Sequence, residues 1–280
     1  MPIDYSSIDR VFDVSFGKLD SPGASLAFPA PGTLSDELNV LIDSGGASLV
    51  LSHTKSHMLA SGSVEMWHRA IHSFLWSVTL TETSPLWASV IGYYASHYVM
   101  RAFAHSMGIF KSFTAKKAIQ IEMVGAQFVL SCFTSDKGEH PFYWNAVKGY
   151  RRFATNPLFY ENHLRSMDSD SAHRTFANYT DHVNSFKPMK CPDLGWVMEY
   201  IEKISHFRLG SSVKKPSRDE YPDLQDVQIL AFQRIVAFND FLDERIPRNR
   251  FWRTHRRPPW CKDVMLFEIE DSGLESPSIS

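Results

Sequence analysis

Residues 84–110 read SPLWASVIGYYASHYVMRAFAHSMGIF, an apolar run of helical length that carries His97, Arg101 and His105. Pro85 stands in the first turn, where a helix tolerates proline best, and Gly108 supplies the stop. At about 100° per residue, Val90, Tyr94, His97, Arg101 and His105 fall in one stripe, and Ala88, Ala95, Ala102 and Ser106 in a second. The small stripe admits a neighbouring backbone at close range. Trp87, Ile91, Tyr98, Val99 and Phe103 fill the remaining faces, so the helix belongs at the centre of a fold. A guanidinium held there needs a partner network, such as a tyrosine or a carboxylate, or it lines a cavity and has chemistry to do.

Helices are expected on both sides of this element. VEMWHRAIHSFLWSV, residues 64–78, follows a Gly-Ser start signal, and further helical patterns run over Pro141–Phe153, Ser171–Phe186, Asp193–Phe207 and Asp223–Ile246. The last is the most regular, with Leu224, Val227, Leu230, Ile235, Phe238 and Phe241 in one stripe behind an acidic start. Between Lys117 and Thr134 the period changes from helical to alternating, and Gly125 divides two β-prone runs, so a short hairpin is predicted there. The fold class that follows is mainly α: a helical bundle with an inserted β-hairpin and an irregular N-terminal extension. The expected division is residues 1–60 as that Pro-, Gly- and Ser-rich extension, 61–246 as the bundle, and 247–280 as a basic and aromatic segment ending in an acidic tail.

The bulk composition narrows the function classes. A chain of 280 residues with 44% hydrophobic and 21% charged content can bury a sizeable core, and its formal net charge of −2 gives no global attraction to nucleic acid or anionic lipid. Cys132, Cys191 and Cys261 are far apart and show no CxxC spacing, which argues for a reducing compartment and against a thiolate zinc site. Neither a signal peptide nor an apolar run of membrane-spanning length is present in the sequence, so a cytoplasmic location with no membrane partner is expected. No cofactor is expected either, because the sequence lacks a P-loop, a Rossmann GxGxxG, a GxSxG elbow and a deaminase zinc motif.

GYYASHYVMRAFAHSMGI, residues 92–109, resembles the second helix of HEPN-superfamily bundles, and SAHRTFANYTDHVNSF, residues 171–186, resembles the start of a later helix in some of those families. The resemblance implies a helical protein of a toxin–antitoxin or phage-defence setting that binds RNA or a macromolecular partner. Its ribonuclease branch implies a metal-independent endoribonuclease built on an Arg followed four to six residues later by His. Here Arg101 and His105 have three residues between them, and Arg174 and His182 have seven. The candidate catalytic set is Arg101, His105, Arg174, His182, Asn178 and His97: histidines to take and give protons, arginines to hold phosphorane charge. Phe176, Tyr179, Val183 and Phe186 form the apolar stripe of the later helix, which leaves Arg174, Asn178, Asp181 and His182 opposite it, as an ordinary solvated face would also do.

Three further patterns carry chemistry. Glu65, His68 and His72 have the spacing that puts metal ligands on one helix face, yet no second ExxH follows, and ordinary histidine pairings explain them as well. VLIDSGGASLVLS, residues 40–52, resembles the Asp-Ser/Thr-Gly loop of retropepsin-like proteases with an extra Gly, and equally reads as a turn between short strands. The densest basic cluster is Arg245, Arg248, Arg250, Arg253, Arg256 and Arg257 with Phe251, Trp252 and Trp260. Guanidinium forks suit phosphates and indoles suit base stacking, so Arg248, Arg250, Trp252, Arg253, Arg256 and Arg257 are the candidate nucleic-acid contacts. The same composition also suits an acidic protein partner or the chain's own acidic residues. The partners left open are RNA, a protein and a second copy; a noncatalytic structural subunit is the remaining reading.

Overall fold

The computed structural model describes residues 3–19, 48–51, 57–111, 116–159 and 224–255. Within them the protein is mainly α with a small antiparallel sheet. Its centre is an antiparallel hairpin of α2 (His57–Thr79) and α3 (Pro85–Ser106). The small stripe makes that pairing possible. Ala88, Ala95, Ala102 and Ser106 are fully buried, and Ser77 Oγ donates to the Ala88 carbonyl at 2.6 Å. Gly92 continues the close contact, since a Cβ there would sit 3.1 Å from Ser77 Oγ and 3.3 Å from Gln228 Cγ.

The last long helix, α5 (Asp226–Arg245), packs on this hairpin. Its start is fixed by a reciprocal cap in which the Gln228 side chain accepts from the Gln225 N–H at 2.8 Å. The fully buried Gln228 amide then donates to the Ser77 carbonyl at 2.9 Å and to the Ser77 and Thr81 hydroxyls at 2.8 Å each. An aromatic core fills the interior. Phe103 packs edge-on against Phe153, Phe159 and Phe238 with centroids 4.9 to 5.2 Å apart, and each fully buried ring of this kind contributes about 2–3 kcal/mol.

The predicted hairpin is present as β3 (Lys117–Val124) and β4 (Gln127–Thr134), turning at Gly125 with φ +61°. Two short strands extend it, β2 (Ile109–Lys111) on β3 and β1 (Ser48–Leu51) on β4, giving the order β1-β4-β3-β2. Gly108 makes the helix-to-strand change with φ +73°, and a Cβ there would press on Ile121 at 3.1 Å. Ile119, Ile121, Met123, Phe128 and Leu130 form one buried sheet face together with Val11.

Val11 belongs to α1 (Ile8–Leu19), which corrects the expectation of an irregular stretch before residue 60. Ile8, Val11, Phe12 and Phe16 are buried at helical spacing, so the signal was present but lay next to Pro- and Gly-rich sequence of the opposite character. Arg245 of α5 bonds Asp9 and Asp13 at 2.5 Å each and lies 4.4 Å over the Phe12 ring, tying this helix to the far end of the chain. The remaining described helices are α4 (Glu139–Gly149), a single 3-10 turn (Pro157–Phe159) and α6 (Arg250–His255). The expected helices at 171–186 and 193–207, and the tail after 255, lie outside the described residues. Among the described residues no helix is long and apolar enough to cross a membrane.

Candidate functional site

The charged stripe of α3 meets the first turn of α4. Gly138 ends the loop after β4, and Glu139 and His140 follow directly, so the hairpin aims both side chains at α3. Arg101 Nη1 pairs with Glu139 Oε1 at 3.1 Å, and His97 Nε2 approaches the same oxygen at 3.7 Å. The carboxylate that the half-buried arginine called for is therefore Glu139. His140 stacks on His97 with ring centroids 3.9 Å apart and is hydrogen-bonded through Nδ1 to the Tyr93 hydroxyl at 2.8 Å. The Arg101 guanidinium also lies over two tyrosine rings, 5.5 Å from the Tyr143 centroid and 6.0 Å from that of Tyr98.

Burial pushes the Glu139 carboxyl up, but the His97 hydrogen bond and the Arg101 charge outweigh it and hold the group below its ordinary value. The Glu139 carboxyl is thus ionised at neutral pH. It is not sealed: the Arg101 side chain keeps 13% and that of Glu139 19% of its accessible surface, against 3% for His97.

His105 has a different environment, one turn further along. Its imidazole stacks on Phe110 at 4.6 Å, bonds the Gly62 backbone and faces the Tyr143 hydroxyl at 3.5 Å through Nε2. Burial, then the nearby Arg101 charge, drives it well below the usual imidazole range, so it is neutral. Burial likewise pushes Tyr143 up to about 12, and its oxygen accepts the Lys111 backbone N–H at 3.0 Å. These contacts brace α3 against α2, α4 and β2. Of the two histidines expected to serve as base and acid, His105 is buried in these contacts, as is His97 beside it, and His182 lies outside the described residues. Arg174, Asn178 and His182 lie outside the described residues, and so does their distance from Arg101.

Glu65, His68 and His72 take three separate partners. Glu65 pairs with Arg69 at 2.7 Å, His72 Nε2 accepts from the Trp76 indole at 3.1 Å, and buried His68 donates to the His255 carbonyl at 2.5 Å. Burial drives His68 down to about 4. Of VLIDSGGASLVLS only Ser48–Leu51 is described, as β1.

At the C-terminal cluster the structure sorts aromatics from cations. Trp252 is fully buried: its indole donates to Asp243 Oδ1 at 2.5 Å and packs 5.3 Å from Trp67. It is a core residue and offers no face to a base, which corrects its place among the nucleic-acid contacts. Phe251 is buried beside it, whereas Arg248, Arg250 and Arg253 are exposed. Arg245 is committed to Asp9 and Asp13, and Arg256 and Arg257 lie outside the described residues.

Sequence reading found α3 and the C-terminal arginines but did not find Glu139, His140, Tyr93 or Tyr143. The Gly-Glu-His-Pro start of α4 is a legible helix opening, but nothing local shows which helix it faces. No protein-family model, no curated protein and no solved structure matches the chain.

Proposed function

We propose that this chain is a noncatalytic, HEPN-like helical protein that binds RNA through the arginines of its C-terminal segment. The observation that carries the reading is the orientation of α6. Phe251 and Trp252 anchor the helix in the core, while Arg250 and Arg253 on it, and Arg248 just before it, are exposed. Arginine forks placed this way match phosphate oxygens, and a local patch is what a chain of net charge −2 needs in order to hold a polyanion. The toxin–antitoxin or phage-defence setting is part of the proposal and rests on the resemblance of residues 92–109 and 171–186.

The alternative reading, a metal-independent endoribonuclease, needs histidines that reach a 2′-hydroxyl and a leaving 5′-oxygen. The burial of His97 and His105 supports the binding reading over it. The test is a labelled single-stranded RNA incubated with protein in EDTA. The proposal expects a shifted, intact RNA; cleavage lost in Arg101→Ala but kept in Arg250→Ala would replace binding with catalysis, and neither binding nor cleavage at low salt would remove both.

A further inference from the structure

We infer that Trp76, on the exposed stripe of α2 beside α6, is the stacking platform for an unpaired base of single-stranded RNA; this rests on the RNA-binding reading. α6 meets α2 at two neighbouring residues: Trp252 packs 5.3 Å from Trp67, and the His255 carbonyl accepts from His68. The exposed stripe of α2 starts one residue further on. Arg69, His72 and Trp76 are exposed at spacings of three and four, which puts them on one face. From His68 to Trp76 the helix advances eight residues, about 12 Å at about 1.5 Å each. A strand held by its phosphates at α6 therefore needs only a short further stretch along α2 to reach the indole.

Val50, Trp76, Trp87 and Val124 are the large apolar side chains exposed among the described residues, and of these Trp76 is the one on α2. It keeps 53% of its surface open, yet its ring is held in place. The indole N–H donates to His72 Nε2 at 3.1 Å, one turn back, with the two ring planes 64° apart. With its N–H committed, the indole offers π surface rather than a hydrogen bond, and every base has a face that stacks on such a surface. The charge around it suits a polyanion. Glu65 is the one carboxylate in α2, and Arg69 pairs with it at 2.7 Å, so α2 adds no uncompensated negative charge beside the exposed Arg248, Arg250 and Arg253. A duplex keeps its bases stacked on one another and presents its backbone and groove edges, so the platform serves single strands.

The experiment is fluorescence anisotropy with a labelled oligouridine of about twelve nucleotides, within the usual range of single-strand site sizes, and with the same strand paired to oligoadenosine. Trp76→Ala should weaken binding of the single strand by about fivefold to 150-fold, the worth of one stacked base. Duplex affinity and the salt slope should stay as they are, because no phosphate contact is lost. Trp76→Phe, which keeps a ring, should retain most of the affinity. Circular dichroism identifies folded variants, and Trp76→Leu serves if Trp76→Ala does not fold. Unchanged single-strand affinity, an equal loss for the duplex, or a loss in Trp76→Phe as large as in Trp76→Ala overturns the platform and leaves RNA binding standing. No binding of either RNA at low salt overturns both.

Discussion

Two helices of this protein combine arginine, histidine and aromatic residues, and they use them in opposite ways. In α3 the cation and both imidazoles point inward to Glu139, Tyr143 and Gly62, because Ala88, Ala95 and Ala102 let the neighbouring helix come close and leave little room for water. In α6 the aromatic rings point inward and the arginines outward. Composition alone does not separate the two cases. What separates them is whether the cation's own helix is covered on several sides or on one.

The comparison breaks most directly at Trp252. If α6 is held by its aromatics, Trp252→Ala should lower stability by about 3–5 kcal/mol in denaturant unfolding, through the lost burial and the stranded Asp243 carboxylate. A loss below about 1 kcal/mol would mean that α6 is not anchored.

Acid should act next, through the inward-facing histidines. His68 falls from an ordinary 6.5 to about 4 on folding, so between those values the unfolded chain binds the proton and the folded one does not. Its contribution, about 3 kcal/mol, is complete above the ordinary imidazole value and disappears as pH falls toward 4. His105 shifts in the same direction. His68→Gln should flatten the fall in melting temperature across this window; an unchanged slope would contradict the sealed environment.

Glu139 titrates with the same sign at lower pH. Its folded value lies below the ordinary 4.5, so its contribution is present above that value and is lost as pH falls through the folded one. Arg101→Met and Glu139→Gln should each cost about 2 kcal/mol singly, and the double variant less than their sum, as expected for partners. Strict additivity would show that the pair is not formed. The smallest effects on stability belong to α6: Arg250→Ala and Arg253→Ala should change it by less than about 0.5 kcal/mol.

Legibility in the sequence followed this same division. The helix 84–110, the hairpin 117–134 and the helix near 223–246 were readable because their periods are local and long. α1 was missed although Ile8, Val11, Phe12 and Phe16 repeat at helical spacing, because the residues after it set the character of the whole segment. At the candidate site the sequence showed that Arg101 needs a partner, but Glu139 lies across a hairpin, and only the meeting of α3 with α4 reveals it. Trp252 was misread because a tryptophan among arginines looks the same in sequence whether it stacks on a base or fills the core.

The central claim is that α6 turns its arginines to a phosphate backbone while α3 keeps its charge inside. The direct test is the affinity of a single-stranded RNA measured across salt concentrations for the unaltered protein and for Arg248→Ala with Arg250→Ala and Arg253→Ala. The account predicts a large loss of affinity and a salt slope shallower by about 2, given about 0.7 per phosphate contact, with unchanged melting. The same affinity and slope in the triple variant would contradict it.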